Sequence, residues 1–128
     1  MPDAENRVNS GNSGEREMYQ FIASMDVDEE KEALFNEVYD TEHVPSLLKV
    51  AGVRAVTRFK TESFSMAIGG EVKTMPASSP RYTAIYDIDS PDVVNSSAWG
   101  EAVEAGRWPG EVRPFTKNRH HEMRRKLD

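Results

Sequence analysis

The residues with most to offer chemically gather in the stretch YDTEHVPSLLKVAGV, from Tyr39 to Val53. It holds His43, the one histidine far from the C-terminus, flanked by Asp40 and Glu42 and followed by Pro45. Phe35, Tyr39 and His43 follow at four-residue steps, which sets the imidazole along the edge of an apolar helical stripe. Pro45 disfavours helical geometry at Val44, so the helix is expected to break near His43. A helix C-terminus favours imidazolium, whereas burial favours the neutral ring, and the two pulls together leave the pKa near neutrality. That suits general acid–base work on an enolisable or phenolic substrate, with His43 moving the proton. The alternative is a histidine that caps the last carbonyls and holds the turn before Pro45.

Four other residues join His43 as candidates. Tyr39 and Tyr86 can each present a hydroxyl to a cavity, or simply pack with the tip hydrogen-bonded. Arg58 can bind a carboxylate or enolate oxygen if its strand face points at the helices; otherwise it is a surface cation. Trp99 can line an aromatic-binding cavity, as can Trp108, or can serve as helix-to-sheet packing. Asp40 and Glu42 do not face one another on a helix and are expected to be solvated. His120 and His121 are adjacent in an expected strand, point to opposite faces and do not readily share a metal. Without cysteine, a His-x-x-x-His pair or carboxylates at ligand spacing, no metal site is expected. IGGEVK lacks the spacing of a phosphate loop, Ser96 and Ser97 sit in no nucleophile elbow, and no cofactor is expected.

The elements that must position these groups follow from pattern. MYQFIASMDV, from about Met18 to Val27, is a strand with apolar residues on both faces, which implies cover on both. DEEKEALFNEVYDTEH is an amphipathic helix, with Asp28 as cap, Glu29 and Glu30 in the first turn, and a stripe of Leu34, Phe35, Val38 and Tyr39. PSLLKVAG makes a short second helix with Pro45 at its first position and Gly52 just past its end. VRAVTRFK is a strand with Arg54, Val56, Arg58 and Lys60 on one side. SFSMAIGGEVKTM either extends that strand or forms a hairpin turning at Gly69-Gly70, and KTMPASSP is a loop. RYTAIYDID is a strand with Tyr82, Ala84, Tyr86 and Ile88 on one face. Ser90, Pro91 and Asp92 open a helix that buries Val94, Ala98, Ala102 and Val103 and ends at Gly106. RWPGEVRPF is a loop, and the last strand lies within TKNRHHEMRRKL.

Bulk properties narrow the class. The 128 residues suit one domain with a real core. Residues 1–16, polar and charged, are expected to be a flexible leader, with a single domain over 17–128. A formal net charge of -6 argues against nucleic acid as a partner. The basic C-terminal cluster RHHEMRRK is short and reads as a solvated strand or tail. No apolar run approaches the ~18 residues of a membrane span, and the first residues lack a secretory signal's apolar region. With no cysteines, the simplest expectation is a cytoplasmic protein that does not meet the membrane.

The element order is β-α-β-β-α-β, the ferredoxin-like arrangement: α+β, with an antiparallel sheet carrying both helices on one face. The other face then has apolar residues to cover, and a homodimer packing sheet on sheet supplies the cover. YDTEHVPSLLKVAGV, RAVTRF, PRYTAIYDIDSPDV and SAWGEAVEAGRW resemble the dimeric α+β barrel superfamily, over residues 18 to 126 or thereabouts. EthD-type proteins are the nearest likeness, with polyketide cyclases, muconolactone-type isomerases and cofactor-free monooxygenases further off. Ala51-Gly52 stands where these proteins usually have Pro-Gly, and Gly52 keeps the helix-ending role. The resemblance implies a homodimer with a small apolar cavity between helices and sheet. It fixes no reaction; because no metal or flavin motif is visible, a cofactor-independent isomerase or cyclase acting on a small hydrophobic or aromatic metabolite is expected ahead of an oxygenase. A non-catalytic dimer that binds an apolar ligand or a partner protein is the alternative.

Overall fold

A computed structural model describes residues 17–128, so the expected leader at 1–16 lies outside the described residues. Strands β1 (Tyr19–Val27), β2 (Val53–Lys60), β5 (Tyr82–Ile88) and β6 (Thr116–Arg125) form one sheet in the order β2-β5-β1-β6. Each neighbouring pair is antiparallel. Strands β3 (Phe64–Ile68) and β4 (Glu71–Met75) pair only with each other, turning at Gly69-Gly70. Of the two possibilities for SFSMAIGGEVKTM, the hairpin is the one formed.

Alternation sorts the side chains of the main sheet. Tyr82, Ala84, Tyr86 and Ile88 of β5 are all buried, and the residues between them are half-buried. Cross-strand register puts Phe21, Ala23 and Met25 of β1 and Val56 and Arg58 of β2 on that same face. The helices cover it. The opposite face carries Ile22, Ile85 and Phe59 among Ser24, Thr57, Thr83, His120, Glu122 and Arg124. Ile22 is buried, Ile85 half-buried and Phe59 exposed, so this is a mixed surface, less apolar than the strand patterns suggest.

The helix expected to break at His43 does not break. Helix α1 (Glu32–Val38) runs into one wider turn, Tyr39–His43, closed by the Val44 amide on the Tyr39 carbonyl, and continues as α2 (Val44–Leu48). Pro45 brings no amide hydrogen and crowds the carbonyl one turn back, and the widened turn accommodates both defects. It also straightens a stripe. Phe35, Tyr39, His43 and Leu47 recur every four residues, and a regular α-helix would walk them about 120° around its surface. With the wide turn all four stay inside, none more than 5% exposed.

Three smaller expectations also need correction. Asp28 occupies the cap position of a single 3₁₀ turn, Glu29–Lys31, but its side chain makes no capping bond and instead faces Lys117 at 3.4 Å. The helix expected after Ser90 comes in two pieces. Ser90 caps a 3₁₀ segment, Pro91–Asn95, and Ser96 then caps α3 (Ser97–Ala102). This second cap shifts the phase, so Val93 and Trp99 turn inward while Ala98 is exposed. RWPGEVRPF is no open loop: Trp108–Val112 forms a second wide turn and buries Trp108 and Val112.

Gly52 ends the second helical segment with φ +93, a conformation that L side chains rarely adopt. A Cβ there would lie 2.5 Å from Val93 Cγ2. Gly52→Ala is therefore expected to cost about 2 kcal/mol from backbone strain alone, and more from the contact. Urea denaturation of the two proteins measures it, and equal midpoints would contradict the assignment.

Candidate functional site

Under α1, between it and strands β1, β5 and β2, lies a narrow cleft. Ala23, Met25, Phe35, Tyr39, Arg58, Tyr82, Thr83 and Ala84 line it. It is narrow and partly open to solvent, with no room for a whole water molecule between the side chains. Tyr39 and Arg58, two of the candidates read from sequence, meet here. The Arg58 side chain points toward the helices and is only 17% exposed.

Arg58 is held from both sides. Its guanidinium donates to Asp40 Oδ1 at 2.7 Å and to Asn36 Oδ1 at 2.8 Å. Its Cζ lies 4.4 Å from the centroid of the Tyr39 ring, a cation–π contact at partly desolvated depth. The surface-cation alternative is thereby corrected; Asp40 is solvated as expected, at 61% exposure, and also pairs with Arg58. Glu42 is likewise engaged: it accepts from the Arg107 amide at 2.9 Å and from Arg107 Nε at 2.6 Å.

Behind Arg58 the phenol oxygens of Tyr39 and Tyr86 are 3.2 Å apart and hydrogen-bonded, both rings fully buried. Burial pushes the Tyr39 hydroxyl up, although the hydrogen bond from Tyr86 and the Arg58 charge work the other way. Burial, then the neighbouring Tyr39 phenol, push Tyr86 well above the ordinary tyrosine value. Both are neutral donors across the physiological range.

His43 does not line this cleft. Its ring stands edge-on to Tyr39 at 5.0 Å and stacks on Trp108 at 4.3 Å with 20° between planes. Both partners sit in the widened turns, so two local departures from regular helix bring these rings together. His43 Nδ1 is the one buried side-chain nitrogen or oxygen without a hydrogen-bond partner among the described residues. The expected pKa near neutrality is overturned. Burial lowers it to about 4, helped by the positive charges of Arg113 and Arg58 and opposed by Glu104. The helix end that would have favoured imidazolium is absent, because the helix continues.

Trp99 is placed differently. It packs edge-on against Phe21 at 5.5 Å and against Tyr86 at 5.3 Å, sealing the sheet near β6 without reaching the cleft. Sequence reasoning missed Asn36, which fixes the Arg58 guanidinium. Its signal was its position one turn before Asp40 on the same helix, facing a strand arginine. His120 pairs with Glu122 on the open sheet face, while His121 stacks on Phe21 on the helix side. Among the described residues no group of three His, Asp or Glu side chains converges as a metal site requires. No helix there is long and apolar enough to cross a membrane.

One solved structure, a protein from Bordetella bronchiseptica assigned as an antibiotic biosynthesis monooxygenase, superposes with a TM-score of 0.56. It is 19% identical over 88% of this chain and 99% of its own. The chain has a ferredoxin-like α+β fold, an antiparallel sheet with its helices on one face. An EthD-family protein from Bacillus halodurans C-125 also aligns, at 14% identity and a TM-score of 0.45, over 86% of this chain and 99% of its own. No protein-family model matches the sequence, and neither does any curated protein. The ferredoxin-like sheet is here ordered β2-β5-β1-β6, and the β3–β4 hairpin lies in the chain between β2 and β5.

The depressed His43 pKa has a measurable consequence. Between about pH 6.5 and 4 the unfolded chain takes up a proton at His43 that the folded chain refuses. The stability contribution is thus complete above pH 6.5 and is lost as the pH falls toward 4. A shift from 6.5 to about 4 corresponds to about 3 kcal/mol. His43→Phe keeps a ring on Trp108 and is expected to flatten the decline in thermal midpoint between pH 7 and 5. His121, whose pKa is also lowered by burial, leaves a smaller residual slope. An unchanged slope in His43→Phe would show the ring to be solvated.

Proposed function

We propose that this protein is a homodimer, packed through the open sheet face, that works as a cofactor-independent isomerase or cyclase. Its substrate in this reading is a small hydrophobic or aromatic molecule carrying an enolisable or phenolic oxygen. The observation that carries the reading is the Arg58–Tyr39–Tyr86 group at the cleft: one fixed cation and two phenols kept as donors, with apolar walls around them. Such a group stabilises an oxyanion, because its dipoles and charge are already oriented when negative charge develops. Arg58 supplies the charge and the Tyr39 hydroxyl the hydrogen bond, while Tyr86 fixes the direction of Tyr39. His43, neutral at physiological pH and with a free Nδ1, is the proton acceptor assigned in this reading. Trp99 bounds the aromatic wall behind Tyr86.

A second reading has its own support. His43 stands outside the cleft lining, and the cleft is tight, which favours a binding module that takes an apolar ligand without turning it over. The two differ in what they do to an ionisable ligand. An oxyanion site lowers the pKa of a bound phenol, whereas a plain apolar site raises it.

Titration with 4-nitrophenol separates them, because its phenolate is yellow and the neutral form is not. The parent protein is expected to bind the phenolate and to deepen the colour at a pH where the free probe is mostly neutral. Arg58→Gln should cut the bound phenolate fraction at least tenfold, and Tyr39→Phe severalfold. A probe bound equally well, and colourless, by parent and Arg58→Gln would leave only the binding module. No binding at all would remove the site.

A further inference from the structure

The β3–β4 hairpin is the largest feature that the cleft does not explain. All ten of its strand residues are exposed, and it pairs with no other strand among the described residues. One face carries Phe64, Met66, Ile68 and Met75, at 54%, 39%, 54% and 39% exposure, with Lys73 and Glu71 beside them by cross-strand register. Val72, on the other face, is 75% exposed. Over its two faces these apolar residues expose roughly 500 Å², comparable to the largest patch on a typical monomer, which is often a contact site. A lone two-stranded hairpin is also only marginally stable in water. Both facts call for an occupant.

The same molecule offers one. β6 is an edge strand of ten residues with no partner on its outer side among the described residues, and such an edge is a template for another strand. Set β4 antiparallel to β6 with Val72 opposite Met123. Glu71 then falls opposite Arg124 and Lys73 opposite Glu122, two attractive pairs on one face, while the two apolar residues meet on the other. A two-residue slip in one direction sets Glu71 against Glu122, and in the other sets Lys73 against Arg124. Like charges opposite each other are destabilising, so charge selects this register. Glu122 and Arg124 lie on the open sheet face, beside Ile22 and Gln20 in register. The arm's Phe64, Met66 and Ile68 would therefore continue that face.

Within one chain the hairpin and β6 lie apart. The hairpin departs from the end of β2 and returns at the start of β5, whereas Met123 pairs with Phe21, which pairs with Tyr86. Met123 thus lies two strands and four residues from the arm's root, roughly 16 Å away by strand spacing and rise. We infer that the β3–β4 hairpin is an exchange arm: it adds to the outer edge of β6 of a second copy of this chain, with Val72 opposite Met123, and receives that copy's arm in return. Two reciprocal arms make a closed two-fold assembly and leave no arm or β6 edge bare. This contact is distinct from the open-face packing proposed above, and either can fail without the other.

The sequence has no cysteines, which makes the register directly testable. In full-length Val72→Cys/Met123→Cys, oxidation is expected to convert most of the chain into a disulfide-linked dimer, because cross-strand partners meet the Cα separation a disulfide needs. Val72→Cys/Glu122→Cys, one residue out of register, should cross-link at least tenfold more slowly. Lys73→Glu should weaken the unlinked dimer at least tenfold by sedimentation, and Lys73→Glu/Glu122→Lys should recover most of that loss. Sedimentation as a dimer without cross-linking, and without an effect of Lys73→Glu, would overturn the arm and leave the open-face dimer standing. A monomer at all concentrations would overturn both. Cross-linking confined to monomer would place the arm on its own sheet and overturn the exchange.

Discussion

The structure depends on a single requirement: one stripe of rings on α1 and α2 must stay against the sheet past a proline. Pro45 removes a helical hydrogen bond and obstructs the turn before it, and a sharp break there would swing His43 and Leu47 away from Phe35 and Tyr39. The widened turn at Tyr39–His43 resolves this by lengthening one hydrogen-bonded loop. Its benefit is packing. Tyr39 reaches Tyr86 on the central strand β5, and His43 reaches Trp108, which a second widened turn delivers from the other end of the chain. Local backbone irregularity of this kind costs little when the rings it aligns are as large as these, since each buries on the order of 150–250 Å².

The same stripe organises the electrostatics. Tyr39 forms the boundary between a cleft that holds one cation and an interior that holds none. On the cleft side Arg58 is oriented by Asp40 and Asn36, so its charge is balanced at the surface and directed inward over a ring. On the inner side the imidazole of His43 is denied a proton by burial and by two arginines. Charge is admitted at one place and excluded from the next. A site that stabilises anionic oxygen needs that contrast, because a cation acts most strongly where no water competes.

The open sheet face and the hairpin arm show the opposite balance. There the chain leaves Phe59 and the hairpin's aliphatic and aromatic groups uncovered while lining their margins with charged pairs such as Glu122 with Arg124. Isolated exposed apolar residues are ordinary, but an apolar centre with a charged rim is how protein contacts are usually built. The helical layer covers one side of the sheet, while the far side keeps Phe59 exposed among polar and charged groups.

The sequence by itself determined much of the frame. Alternation in RYTAIYDID marked the central strand and its buried face, Gly52 marked a helix end, and the order of patterns led to a ferredoxin-like sheet. These are signals of period and of special backbone geometry, carried by a few adjacent residues, and they survive without knowledge of neighbours. Chain-local reasoning failed where distant groups decide. It ended a helix at His43 because Pro45 permits that locally, but burial of Leu47 and Val50 favoured continuation. It assigned His43 a pKa near neutrality from a helix end that does not exist, whereas desolvation by Trp108 and Tyr39 governs the ring. It left open which way Arg58 points, and Asn36 and Asp40 on the facing helix answered that. It read RWPGEVRPF as a loop because proline and glycine look like breakers, although Trp108 and Val112 are core. Periodicity reports which face is apolar; only the packed structure decides what each face meets, because desolvation and charge are set by neighbours far away in the chain.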